Sequence, residues 1–289
     1  MSKMAETVKP LIIRPYVLFI FGLLTLIYCF IEYTFVFPVI LGISYLKSGN
    51  ILENGMHIIQ FVLSFIFQTQ YLIYAVGALV ILALLGGIVL SGCLYPLNKA
   101  LERKGKVKGE FLTGIKKYFL RMMLILMRTM LYSIIFVLFM MIVTVPSMVI
   151  TNSFAAGKNE LMTAAIAFDI VTVIVLFFGF LFFRIYMMFW YPAAINTTRK
   201  FFAIGKLAAD TYFWEVASKL ILFDIVFAAF QFLLIYLNSV MPVQSNVGFI
   251  RVLILLFVNW IFKTLFLIGL IIFVFSKFIL FKKTVKVSS

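Results

Sequence analysis

Six stretches of twenty or more residues are too apolar to be solvated by water: approximately Tyr16 to Leu41, Tyr71 to Leu94, Met122 to Val145, Met162 to Trp190, Leu220 to Val240, and Phe249 to Phe275. About 20 apolar residues cross the roughly 30 Å hydrocarbon core as a helix. In lipid every backbone polar group must be satisfied within a helix or a closed barrel, and barrel strands alternate apolar with polar positions. These runs do not alternate. They predict an all-α, polytopic membrane protein whose six transmembrane helices form three antiparallel hairpins, approximately residues 14–97, 121–197 and 219–281, in a single transmembrane domain. Composition agrees, since 65% of the 289 residues are hydrophobic and 12% charged, against roughly a quarter charged in soluble domains.

Charge placement predicts the orientation. Nineteen Lys and Arg flank the spans on one side, in the N-terminal segment, the basic loops 98–120 and 198–218 with the residues that follow them, and the C-terminal segment. Only Lys47, Lys158 and Arg251 flank the other. Cytoplasmic loops carry the excess of Lys and Arg, so both termini and both basic loops are expected in the cytoplasm. The net charge of +15 then reflects topology and attraction to anionic inner-leaflet lipids, not nucleic-acid binding. The stretch from Tyr16 is longer than a signal-peptide core and no small-x-small site follows it, so it reads as a mature span. Cys29 and Cys93 fall in opposite halves of the membrane and read as packing residues.

A short signature occurs twice: Cys93-Leu94-Tyr95-Pro96-Leu97-Asn98 and Phe189-Trp190-Tyr191-Pro192-Ala193-Ala194-Ile195-Asn196. Each copy closes an apolar run and opens a basic one. The odd-numbered spans share a second pattern, beginning at Arg14, Arg121 and Lys219 and reaching Pro38, Pro146 and Pro242. Proline lacks a donor and disfavours helix in the residue before it, so these three are expected to close their spans at the outer surface. Pro96 and Pro192 mark inner ends, where a proline can kink a helix without stopping it. Together the patterns suggest parallel hairpin repeats about an axis near the membrane normal.

Val145-Pro146-Ser147-Met148, the fourth span with Arg184 and its ending "YPAAIN", and the segment "FFAIGKLAADTYFWEV" resemble a loose superfamily of six-helix bacterial membrane proteins. That superfamily includes the membrane domain of some glycerophosphodiester phosphodiesterases. The resemblance covers Arg121 to Asp224 best and implies the bacterial cytoplasmic membrane. Those families often have Pro-Gly where this chain has Pro146-Ser147, and no soluble phosphodiesterase domain is present, so no catalytic residue is carried over.

Ionisable residues inside spans are costly unless they find a partner or reach the interface. Glu32 and Asp169 are assigned to the outer half, and Arg128, Arg184, Lys263 and Asp224 to the inner half. Two readings stand. In one, the three bases line a polar cavity for an anionic ligand such as a lipid phosphate, with Asp224 pairing one of them. In the other, the bases snorkel to inner-leaflet headgroups and Asp224 pairs for structure.

Other signals are weaker. His57, Gln60, Ser64 and Gln68 form a polar stripe that fits an outer interfacial helix, a cap over a cavity, or an extension of the second span. Ala83, Gly87 and Ser91 recur every fourth residue, a small-xxx-small stripe for close helix approach, to this chain or to another protomer. Lys99 to Arg121 alternates charge with aromatics in the manner of an amphipathic helix on the inner leaflet, bent at Gly105 and Gly109. No phosphate-binding loop, paired His, nucleophile elbow or dinucleotide fingerprint is present, and a lone His gives no His-based metal site. The expectation is a non-enzymatic accessory, regulatory or scaffold component of the membrane, without cofactor. Its expected partners are membrane lipids, with a membrane protein or second copy beside them. The alternative is a permease-like subunit for an anionic or lipid substrate.

Overall fold

The structure, a computed structural model, describes residues 14–32, 69–197, 200–239 and 246–285. Pro38, Pro242 and the stripe from His57 to Gln68 lie outside the described residues. Among the described residues there are six α-helices: α1 (Pro15–Ile31), α2 (Thr69–Leu101), α3 (Glu110–Ala155), α4 (Met162–Asn196), α5 (Phe201–Ser239) and α6 (Asn246–Val285), with a 3-10 turn at Asn159–Leu161 before α4. There is no strand among the described residues. Five of these helices are, over their described residues, long and apolar enough to cross a membrane, and α1, at 17 described residues, is shorter. The chain is an all-α, polytopic membrane protein.

Surface chemistry follows from the same apolar runs. Ile142, Ile225 and Phe232 expose 71%, 60% and 73% of their surface. In water such faces would be aggregation liabilities; facing acyl chains they lose nothing.

The helices outrun the apolar stretches. At 1.5 Å per residue, the 46 residues of α3 span about 69 Å, more than twice the hydrocarbon core, so the first turns of α3 stand outside the bilayer. The expected loop 98–120 is correspondingly short: α2 continues to Leu101 and α3 begins at Glu110. The single amphipathic helix expected over Lys99 to Arg121 is therefore two helix ends around a turn, with positive φ at Arg103 and Gly109 (58° and 77°). The loop 198–218 shrinks in the same way, because α5 begins at Phe201.

Proline also behaves differently from the expectation. Pro146 does not close α3, which continues to Ala155; Pro96 and Pro192 likewise lie inside α2 and α4. A proline deletes one intrahelical bond, and in membrane helices the flanking turns and nearby Ser or Thr side chains compensate. Here Ser147 and Thr151, in the turn after Pro146, fasten α3 to Asp169 of α4.

Contacts group the chain into two compact units. One comprises Met1–Tyr45, Val89–Phe119 and Met188–Ser289, and the other Leu46–Ile88 and Leu120–Met187, in each case over their described residues. In the first, glycines set the helix spacing. A side chain at Gly114 would stand 2.5 Å from the Ser91 carbonyl oxygen, and Gly92 lies under the Phe111 ring. Asn98 and Asn196 are buried and joined by their side-chain amides. Aromatic rings of α5 and α6 interleave, with Phe230 stacked on Phe262 at 3.8 Å and Phe227 4.9 Å from Phe266. In the second unit, Gly87 lets the Met123 backbone of α3 approach α2, and Phe136 stacks on Phe183 at 4.9 Å.

Candidate intramembrane site

Position along α6 decides the chemistry of the most buried span charge. Asn259 and Lys263 are one helical turn apart, so they share a face, and both are 4% exposed. That face meets α1. The Lys263 ammonium donates to Glu32 Oε2, Asn259 Nδ2 donates to the same oxygen at 3.3 Å, and Gln231 Nε2 of α5 donates to Asn259 Oδ1 at 3.0 Å. The Tyr28 and Phe227 rings lie 4.8 Å and 5.7 Å from the ammonium, adding cation–π attraction.

Two to three turns back along α1, and within a turn of Lys263 on α6, Thr25 Oγ1 and Thr264 Oγ1 are 2.5 Å apart, and Trp260 Nε1 donates to the Gly22 carbonyl at 2.6 Å. A polar chain thus links α1, α5 and α6 in the interior of the first unit. With two acceptor oxygens and a fixed cation, it holds one negative and one positive charge at no net charge. Buried pairs of this kind are costly to break and are a weak source of net stability, so their usual consequence is register: these helices fit in one alignment.

The predicted charge cluster is redistributed. Glu32 and Lys263 were assigned to opposite halves of the membrane; the structure brings them together. Both stand within a few turns of their spans' midpoints, and lysine's four-carbon stem closes the remaining gap. Asp224 is half-buried on α5 and is not the partner of Lys263. In the second unit, Arg128 donates through Nε and Nη2 to the Tyr132 hydroxyl at 3.1 and 2.8 Å. Arg184 stands 5.9 Å from the Phe180 ring. Asp169 accepts from Ser147 and, at 3.0 and 3.1 Å, from Thr151. Of the packing stripe, Ala83 and Ser91 are fully buried and Gly87 and Ser91 face α3, so the stripe's partner is this same chain.

Two polar arrangements were not anticipated. Arg14, 1% exposed, donates Nε to Glu110 Oε2 at 2.8 Å and Nη2 to Glu110 Oε1 at 3.1 Å, and also reaches the carbonyls of Lys104 and Gly105. Burial pushes the Glu110 carboxyl up, but the bonds from Arg14 and the Val107 N–H, with the Arg14 and Lys99 charges, outweigh it and hold the group below the ordinary carboxylate range. The hydrogen bond to Glu110 holds the Arg14 guanidinium above its already high value. Arg14 was legible only as a basic flank, and its acid lies 96 residues away. The Asn98–Asn196 pair joins the last residues of the two signature copies, which is the signal that could have revealed it. Among the described residues no three His, Cys, Asp or Glu gather as metal ligands would.

Fold and site together define a polytopic all-α membrane protein with its interior charges held by protein partners. Compared with protein-family models, with curated proteins and with solved structures, the chain matches none.

Proposed function

We propose that the protein is a non-enzymatic accessory or scaffold component of a cell membrane, the bacterial cytoplasmic membrane on the resemblance noted above, with its termini in the cytoplasm and lipids as its partners. The observation that carries this reading is the pairing of Lys263 with Glu32. The most buried base of the predicted anion site is engaged by an acid of the same chain, so its charge serves helix alignment. Arg128 and Arg184 rest on aromatic side chains of their own helices, which suits cations reaching along a span toward headgroups.

The transporter reading is favoured by one observation, the continuous chain from Gln231 through Asn259 to Glu32 and Lys263, since polar residues threading a span also mark ion and substrate routes. Native mass spectrometry of the purified protein beside an Arg184→Ala, Lys263→Ala variant separates the two. Bound species shared by both proteins support the scaffold. A discrete anionic ligand lost in the variant overturns it in favour of ligand handling.

A further inference from the structure

The three helices α2, α4 and α6 border one apolar groove in the first unit. Leu94 lines it from α2, Tyr191 from α4, and Leu267, Leu270, Ile271 and Val274 from α6, and the cavity measures about 230 Å³. Leu267, Leu270, Ile271 and Val274 follow the i, i+3, i+4, i+7 pattern of a single helical face. That face runs on to Phe275, so the slot is about 12 Å deep at 1.5 Å per residue. One leaflet contributes about half of the 30 Å core, so the depth is that of a single leaflet. Its volume suits one chain and not a whole lipid.

All three helices run toward the basic side. Lys99 follows Leu94 by five residues, about 7.5 Å along α2. Lys277 follows Leu270 by seven, two turns further along nearly the same face of α6, and Lys282 and Lys283 complete the last turn. At the rim Lys99 lies 3.9 Å from Glu110 and Lys277 pairs with Glu215, so Lys282 and Lys283 in the last turn of α6 are the cations that raise this end above neutrality, and the slot beneath carries only apolar side chains apart from that of Tyr191. An amphiphile with one negative headgroup and a hydrocarbon tail matches both parts. Anionic headgroups are drawn to Lys and Arg at a membrane surface, and an acyl chain in the slot replaces empty volume with dispersion contacts.

We propose that this groove is a binding site for one acyl chain of an anionic glycerophospholipid from the leaflet on the basic side. The site rests on the lipid-interacting part of the reading above and names its place and its lipid. Of the two signature tyrosines, Tyr191 is part of the wall, whereas Tyr95 packs on Tyr118.

The test uses the full-length protein in bilayers containing phosphatidylglycerol with a diazirine in one acyl chain, irradiated and mapped by peptide mass spectrometry. Labelling of the peptides carrying Tyr191 and Leu270 to Val274 should exceed that of the lipid-facing α5 residues Leu222 and Ile225 by about tenfold. It should fall when the probe is phosphatidylcholine. Ile271→Trp, filling the slot, should remove the label, and Leu222→Trp should leave it. Even labelling of both faces, or labelling indifferent to headgroup, overturns the site; the map of the unsubstituted protein decides this even if Ile271→Trp does not fold. Loss of a ligand in the Arg184→Ala, Lys263→Ala variant would overturn the scaffold reading instead, with the label map unchanged.

Discussion

The side-chain amides of Asn98 and Asn196 face each other, Asn98 Nδ2 donating at 3.2 Å and Asn196 Nδ2 donating back at 2.8 Å. Asn196 also donates to the Pro192 carbonyl at 2.9 Å. Each asparagine ends one copy of the Tyr-Pro signature, so the repeat in sequence is a meeting point in space. Replacing either residue by Ala leaves a buried amide without its partner, which costs about 1–3 kcal/mol. Thermal unfolding in detergent should show the Asn98→Leu, Asn196→Leu double variant less destabilised than the sum of the singles, the mark of a coupled pair.

Breaking the Lys263–Glu32 pair should cost more than removing it. Lys263→Ala leaves the carboxylate in an apolar interior, a loss of about 3–5 kcal/mol for buried pairs. Glu32→Gln with Lys263→Met should recover most of that loss. Equal stability of the single and double variants, read by melting in the same detergent, would sink the pairing argument.

At Gly114 the backbone of α3 lies close against that of α2. An added methyl would meet the Ser91 carbonyl oxygen at 2.5 Å and Tyr95 Cβ at 3.0 Å, and backbone cannot step aside as a side-chain tip can. Gly114→Ala should lower stability by about 1–3 kcal/mol through overpacking. Gly105→Ala, which meets nothing within 4 Å, should be near neutral in the same melting assay.

Acid should unfasten the Arg14–Glu110 contact. Because the folded carboxyl titrates below its ordinary value of 4.5, the stability it contributes is present above that pH and is lost as pH falls through the lower folded value. Glu110→Gln should be less stable than the unsubstituted protein at neutral pH. The gap should narrow once the pH drops below about 4.5, and a gap constant with pH would contradict the assignment. Arg14 holds its proton throughout this window and sets no part of the slope.

Length and polarity made the spans readable, because about 20 apolar residues have few other uses. Helix ends were not readable in the same way. Lys99, Arg121 and their neighbours mark where a chain leaves lipid, but helical hydrogen bonding continues past that boundary, so α2 and α3 run on beyond the apolar windows. Pro146 misled for a related reason: a missing N–H ends an isolated helix more readily than one fastened through Ser147 and Thr151 to Asp169. The interior charges were visible as types and not as pairs. Glu32 and Lys263 are 231 residues apart, and nothing local in sequence reports which helix faces which. Asn259 carried a faint signal, one turn before Lys263, that a periodicity count of polar residues within spans would have raised.

The Arg14 contact also has a clock in it. Its carboxylate lies 96 residues downstream, and a ribosome adding about 5–20 residues per second takes roughly 5–20 seconds to deliver it. Until then the Arg14 guanidinium has water and headgroups in place of that carboxylate. The α6 side chains that meet Thr25 and Glu32 come later still, so the alignment of α1 rests on segments that follow it in the chain.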